Sequence, residues 1–273
     1  MPNTRDARRT AHQVGDSRWL ELLARGGFIG YGLVHLLVAW LAVQIAFGRP
    51  AADGDQSGAL RTLAEQPLGG VLLIGVAVGL AAMALWQGIE AAVGHRVEQG
   101  TDRILERVLS AGRTAVYLSF AWTAVQVFRD ANADSADQQQ AMSERVMSAP
   151  GGQWLVGLAG VALVGVGAGM AFNGATQRFA KHLATGDMSA KVRRTVCRLG
   201  TVGYLAKGVA YGTAGLLVVV AAVQYDPERA RGLDAALHTL REQAFGTILL
   251  CLVAAGFAAF GVFCFAQSRY RKV

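Results

Sequence analysis

Residues 68–89 read LGGVLLIGVAVGLAAMALWQGI and contain no Asp, Glu, Lys or Arg. About 20 such residues suffice for a helix to cross a hydrocarbon core, where it satisfies its own backbone N–H and C=O groups. Working outward, comparable stretches occur at residues 27–47, 109–128, 152–174, 203–225 and 245–267. The first follows a polar leader and is longer than the apolar part of a signal peptide, so it reads as a span. Hydrophobic residues make up 53% of the chain, charged residues 16%, and mean hydropathy is +0.33. A soluble domain carries closer to ~25% charged residues. The expected fold is all-α, a polytopic membrane protein with six transmembrane helices.

The net charge of +7 and pI near 9.7 could suggest a nucleic-acid partner. That would require basic residues gathered with base-stacking aromatics on one wet surface. Here they lie in short segments between apolar runs, as membrane topology demands. Seventeen Lys and Arg fall in the leader, the second and fourth loops and the tail; the opposite side has seven and eleven of the nineteen acids. The positive-inside rule therefore expects both termini in the cytoplasm, and the lipid bilayer rather than nucleic acid as partner. The corresponding location is the inner (plasma) membrane, which the chain crosses several times. Cys251 and Cys264 stand roughly 20 Å apart on one helix, too far to bridge, and Cys197 stands alone among basic residues.

The chain repeats itself. Residues 59–69 read ALRTLAEQPLG and residues 236–246 read ALHTLREQAFG, with seven identities in eleven, both just before an even-numbered span. The middle copy keeps Pro150 and Gly152 where the first has Pro67 and Gly69. Gly27 to His35 aligns with Gly203 to Tyr211, and Leu109 to Tyr117 is the middle counterpart. Amphipathic pieces at Trp19 to Leu23, Ile104 to Val108 and Val192 to Leu199 precede the odd spans and suit short interfacial helices. The units expected are a leader at 1–17 (polar and disordered), repeats at 18–95, 102–178 and 191–268, and a tail at 269–273. They share one orientation, so they are parallel repeats with pseudo-threefold symmetry about the membrane normal, unlike inverted-repeat carriers.

Three tandem two-helix units, carrying Gly203, Tyr204, Lys207, Gly208 and Tyr211 in one helix and Ala59, Leu60, Leu63, Gln66, Pro67 and Gly69 in the outer segment, resemble the domain of unknown function 1206 family of bacterial membrane proteins. The resemblance covers roughly residues 18–268 and implies the repeat architecture; it brings no activity. Unit one departs from it with Tyr31 at the basic position and His35 at the aromatic one, and unit two lacks most of the outer motif.

Ionisable groups within spans are costly and are functional candidates by default. Arg113 and Lys207 occupy equivalent positions about one turn inside the cytoplasmic boundary, and Glu90, Asn173 and Gln267 are equivalent at the inner ends of the even helices. One reading is a polar vestibule in which Glu90 pairs with Arg113 or Lys207. The other is snorkelling side chains and helix-end capping, which needs no site. His35, Tyr117 and Tyr211 form a second equivalent set, an intramembrane polar and aromatic ring. His35 could relay protons or donate to a neighbouring helix; haem would need a second buried histidine. No catalytic motif, metal-ligand set or cofactor site is present, and the chain does not read as an enzyme. The acidic row Asp130 to Asp137 lacks the glycine and terminal glutamate of a calcium loop. Glycines four apart, Gly26/Gly30, Gly75/Gly79, Gly165/Gly169 and Gly208/Gly212, are expected to be the close helix contacts.

Two functions follow. The first is a non-enzymatic accessory or scaffolding subunit, with another membrane protein as partner. The alternative is a small-solute or ion pathway along the pseudo-threefold axis.

Overall fold

The computed structural model describes residues 18–49, 53–93, 101–129 and 135–271. The expectations for the leader and for residues 130–134 of the acidic row lie outside them. Among the described residues nine α-helices follow in order: α1 (Arg18–Ala46), α2 (Gln56–Ala64), α3 (Gly69–Val93), α4 (Thr101–Arg129), α5 (Ser135–Met147), α6 (Gly152–Ala175), α7 (Ala190–Gln224), α8 (Leu233–Glu242) and α9 (Gly246–Tyr270). The only β pairing described is a bridge between Leu183 and Arg271. Five segments are long and apolar enough to cross a membrane: Arg25–Ala46 in α1, Gly69–Ala92 in α3, and α6, α7 and α9. α4 has 29 residues, roughly 44 Å at helical rise, but Arg103, Arg107 and Arg113 make it less apolar.

Short α2, α5 and α8 each precede an even-numbered long helix, which gives three units of long, short and long helix. Between units, α3 packs on α4, α6 on α7, and α9 on α1. Within units, α1 packs on α3 and α7 on α9, but α4 and α6 do not pack along one another. The ring is therefore open on the side of the middle unit.

The repeated turn before each even helix has one geometry. Gly69 N–H donates to Gln66 O at 2.7 Å, Gly152 to Ala149 at 2.9 Å and Gly246 to Gln243 at 2.8 Å. The residue before the glycine is left-handed each time, with φ of 69° at Leu68, 76° at Gly151 and 63° at Phe245. Proline ahead of it, at positions 67 and 150, suits a turn with positive φ at its third place. A Cβ on the glycine would lie 2.4 Å from Leu63 O in the first copy, 1.6 Å from Val146 O in the second and 1.9 Å from Arg241 O in the third. The glycine is required because the short helix ends against it.

Two expectations are corrected. The amphipathic pieces are not separate interfacial helices; they are the first turns of α1, α4 and α7. No proline separates them from the apolar runs, and an interior glycine costs only about 1 kcal/mol. Gly27 and Gly200 also lie in close contacts, against Gly79 and Phe179.

The glycine contacts differ too. Gly30, Gly79 and Gly208 do meet neighbours, but a Cβ on Gly26, Gly75, Gly165, Gly169 or Gly212 would touch nothing within 4 Å. On α6 the contact stripe is Gly160, Gly167 and Gly174, seven apart. They face Gly215 and Val219, then Gly208 and Gly212, then Tyr204 and Thr201 of α7. A spacing of seven keeps one stripe on a single neighbour along the whole helix, whereas a spacing of four drifts round it.

Candidate functional site

Lys207 is only 2% exposed and lies midway along α7. Its Nζ donates to the Tyr31 hydroxyl oxygen at 3.0 Å and lies 3.0 Å from His35 Nε2. His35 Nδ1 lies 2.8 Å from the Tyr31 carbonyl, which can only accept. The proton of a neutral imidazole is therefore on Nδ1, leaving the Nε2 lone pair toward Lys207. The third ammonium hydrogen faces the Phe260 ring, whose centroid is 4.0 Å from Nζ. An ammonium has three donors, and here they meet one hydroxyl, one imidazole and one aromatic face. Tyr31 and Tyr211 add ring centroids at 5.0 and 5.8 Å.

This depth overturns the boundary position expected for Lys207. His35 lies at the middle of Arg25–Ala46, and Phe260 just past the middle of α9. The ammonium beside them is in the centre of the bundle. α7 begins at Ala190, well before its apolar run, and the acceptors are on α1, so the side chain turns into the core instead of snorkelling.

The set His35, Tyr117 and Tyr211 does gather round this centre. Tyr117 is buried with its ring edge-on to Tyr31, centroids 5.4 Å apart. Tyr211 accepts from Gln56 Nε2 at 2.8 Å, which ties the core to the start of α2. Asp55 caps that helix: its Oδ1 accepts from Ser57 N at 2.8 Å, Ser57 Oγ at 2.7 Å and Gly58 N at 3.1 Å. Burial pushes the Asp55 carboxyl above the usual carboxylate range; its bonds from Ser57 and Gly58 oppose the rise and Asp234 adds to it. Of the vestibule set, Glu90 and Arg113 both lie within electrostatic reach of Arg271. Gln267 is buried at the inner end of α9, Glu90 and Asn173 are half-buried at the ends of α3 and α6, and Arg113 is exposed on α4. Only Lys207 of that set joins the core. Among the described residues no three of His, Cys, Asp or Glu converge as a metal site.

Three residues central to the geometry are absent from the sequence-based set. Tyr31 was legible: it stands where the other units carry Arg113 and Lys207, and equivalent positions round an axis share one depth. Phe260 and Gln56 had no such signal, since each is brought in by tertiary packing alone.

The fold and this core define a class: an all-helical repeat protein of three tandem two-helix units, with helices fit to cross a membrane and a lysine held at the centre. A profile described as Domain of Unknown Function (DUF1206) matches residues 26–94, 108–177 and 202–271, and the chain belongs to that family. It is 30% identical over 259 residues to the uncharacterized protein YxxB of Bacillus subtilis (strain 168), covering 93% of this chain and 92% of that one. No solved structure matches it.

Proposed function

We propose that this chain is a six-span protein of the bacterial inner membrane, with α4 as its sixth span and both termini cytoplasmic. It is not an enzyme; it conducts protons along the pseudo-threefold axis. α4 supports the sixth span by its length, its apolar residues 109–128 and its packing on α3. The excess of Lys and Arg supports the orientation. An alkaline phosphatase fused to the C-terminus should be inactive; an active fusion would reverse the orientation.

The observation that carries the function is Lys207 Nζ at 3.0 Å from His35 Nε2 in the centre of the bundle. Two nitrogen bases at that distance share one excess proton. As the Lys207 N–H bond breaks, the Nε2–H bond of His35 forms and the positive charge passes to an imidazolium, whose Nδ1–H still bonds Tyr31 O. Tyr31 and Tyr211 face the pair, Tyr117 packs edge-on to Tyr31, and Cys264 is in the adjoining buried cluster. Tyr211 and Gln56 lead outward. The proposed pathway is a relay of buried polar side chains rather than an open pore.

Proteoliposomes holding a pH-sensitive dye, driven by a potassium diffusion potential, test this. The wild type should acidify its lumen well above empty vesicles, and Lys207→Met should abolish the excess. Wild-type vesicles no faster than empty ones would sink the reading.

An accessory role remains as second reading, supported by α6. Only 17% of its span is buried, against 39–56% in the other four, and Trp154, Leu155 and Leu158 are exposed. A stoichiometric companion in gentle detergent would favour it; a solitary chain would count against it.

A further inference from the structure

We infer that Arg231 is the outer gate of the axis, closing it by holding one aspartate from each of the three units. Its Nη2 lies 3.9 Å from Asp53 Oδ1 of the first unit and 3.4 Å from Asp137 Oδ1 of the second. Its Nε lies 3.6 Å from Asp234 Oδ2 of the third.

The clasp is joined directly to the core. Asp53 is in the clasp, the next residue donates from Gly54 N to Asp234 Oδ1 at 2.8 Å, Asp55 caps α2, and Gln56 bonds Tyr211. Four consecutive residues thus run from Arg231 to the ring beside Lys207. The middle unit is attached by two further contacts: Tyr225 donates to Met147 O, and the Gln139 side chain fills the space where Gly232, with φ +65°, would carry a Cβ. A cavity of about 640 Å³, lined by Asp53, Arg231, Asp234, His238 and Leu217, opens at the clasp. Water therefore comes up to Arg231, and Gln56, only 8% exposed, lies beyond it. Releasing the guanidinium frees the Asp53–Gln56 segment to move and lets the outer solution reach Tyr211.

This inference rests on the proton-pathway reading for its purpose, but its test does not need flux. Gln56→Cys is introduced and labelled in intact cells with a membrane-impermeant maleimide, and the labelled site is located by mass spectrometry. With Arg231 present, labelling should be slow; adding Arg231→Gln should speed it about tenfold. A rate within twofold of the parent overturns the gate. Labelling of Cys264, which is fully buried, would mark unfolding. In that case Asp137→Asn, which leaves Arg231 two partners, decides: a severalfold rise supports the gate and none overturns it. Vesicles that carry no protons while labelling responds keep the gate and lose the function; the converse keeps the function and loses the gate.

Discussion

Lys207→Met isolates what a buried ammonium contributes and costs. The wild-type group makes two hydrogen bonds, to Tyr31 and His35, and one close aromatic contact. Hydrogen bonds to a charged group contribute about 1.5–3 kcal/mol each, and a desolvated cation–π contact about 2 kcal/mol. Against these stands a desolvation penalty of several kcal/mol for an ion taken out of water. The terms nearly cancel. Methionine fills a similar volume with no charge to desolvate, and leaves one acceptor, His35 Nε2, without its donor, at about 1–3 kcal/mol. The variant should be as stable as wild type to within about 2 kcal/mol. Tyr31→Phe keeps the ammonium and removes an acceptor, so it should lose about 1.5–3 kcal/mol. Thermal unfolding in detergent, followed by tryptophan fluorescence, ranks them: Tyr31→Phe should melt below Lys207→Met. The reverse order would refute the view that the ammonium is retained for function at no gain in stability.

Two further outcomes separate the packing and the titration arguments. Gly167→Ala should cost about 1–3 kcal/mol by overpacking, because its Cβ would lie 2.6 Å from Gly212 N, while Gly165→Ala, with nothing within 4 Å, should be near neutral; equal melting temperatures would remove the heptad stripe as the α6–α7 contact. For Asp55, a carboxyl raised in the folded state binds its proton more tightly there than in the unfolded chain, so its contribution is full below the unfolded value of about 4 and is lost as pH rises through the raised one. Asp55→Asn should therefore flatten the part of the stability–pH curve that falls with rising pH in that window, and an unchanged curve would show that Asp55 is not its source.

Much of this architecture was legible because hydropathy sums over whole windows. The run at 68–89 predicts α3 to within a residue at its start, and the match between 59–69 and 236–246 predicts α2 and α8 as equivalents. The convergence of His35, Tyr117 and Tyr211 was legible for the same reason, since repeats fix depth. What was not legible depends on contacts distant in sequence. Gln56 meets Tyr211 across 155 residues and Asp234 meets Gly54 across 180. Neither pair has a local pattern. The depth of Lys207 was misjudged because an apolar run marks where a helix can enter lipid, not which way one side chain turns. Glycine spacing failed similarly: small residues four apart occur on both the packed and the open faces of α6.

The departures from symmetry have a common physical cause. Tyr31, Arg113 and Lys207 are equivalent, so three faithful copies would place three cations at one height round one axis. Two unit charges ~6 Å apart at an effective dielectric of ~20 repel by about 3 kcal/mol, and a third triples the number of pairs. The structure resolves this differently in each unit. Unit one replaces the cation with a tyrosine hydroxyl, turning a repulsion into the hydrogen bond that holds Lys207. Unit two keeps its arginine but leaves it exposed on α4. A single buried lysine, one acceptor copy and one exposed arginine are thus parts of one electrostatic solution, which keeps three equivalent positions from becoming three buried cations.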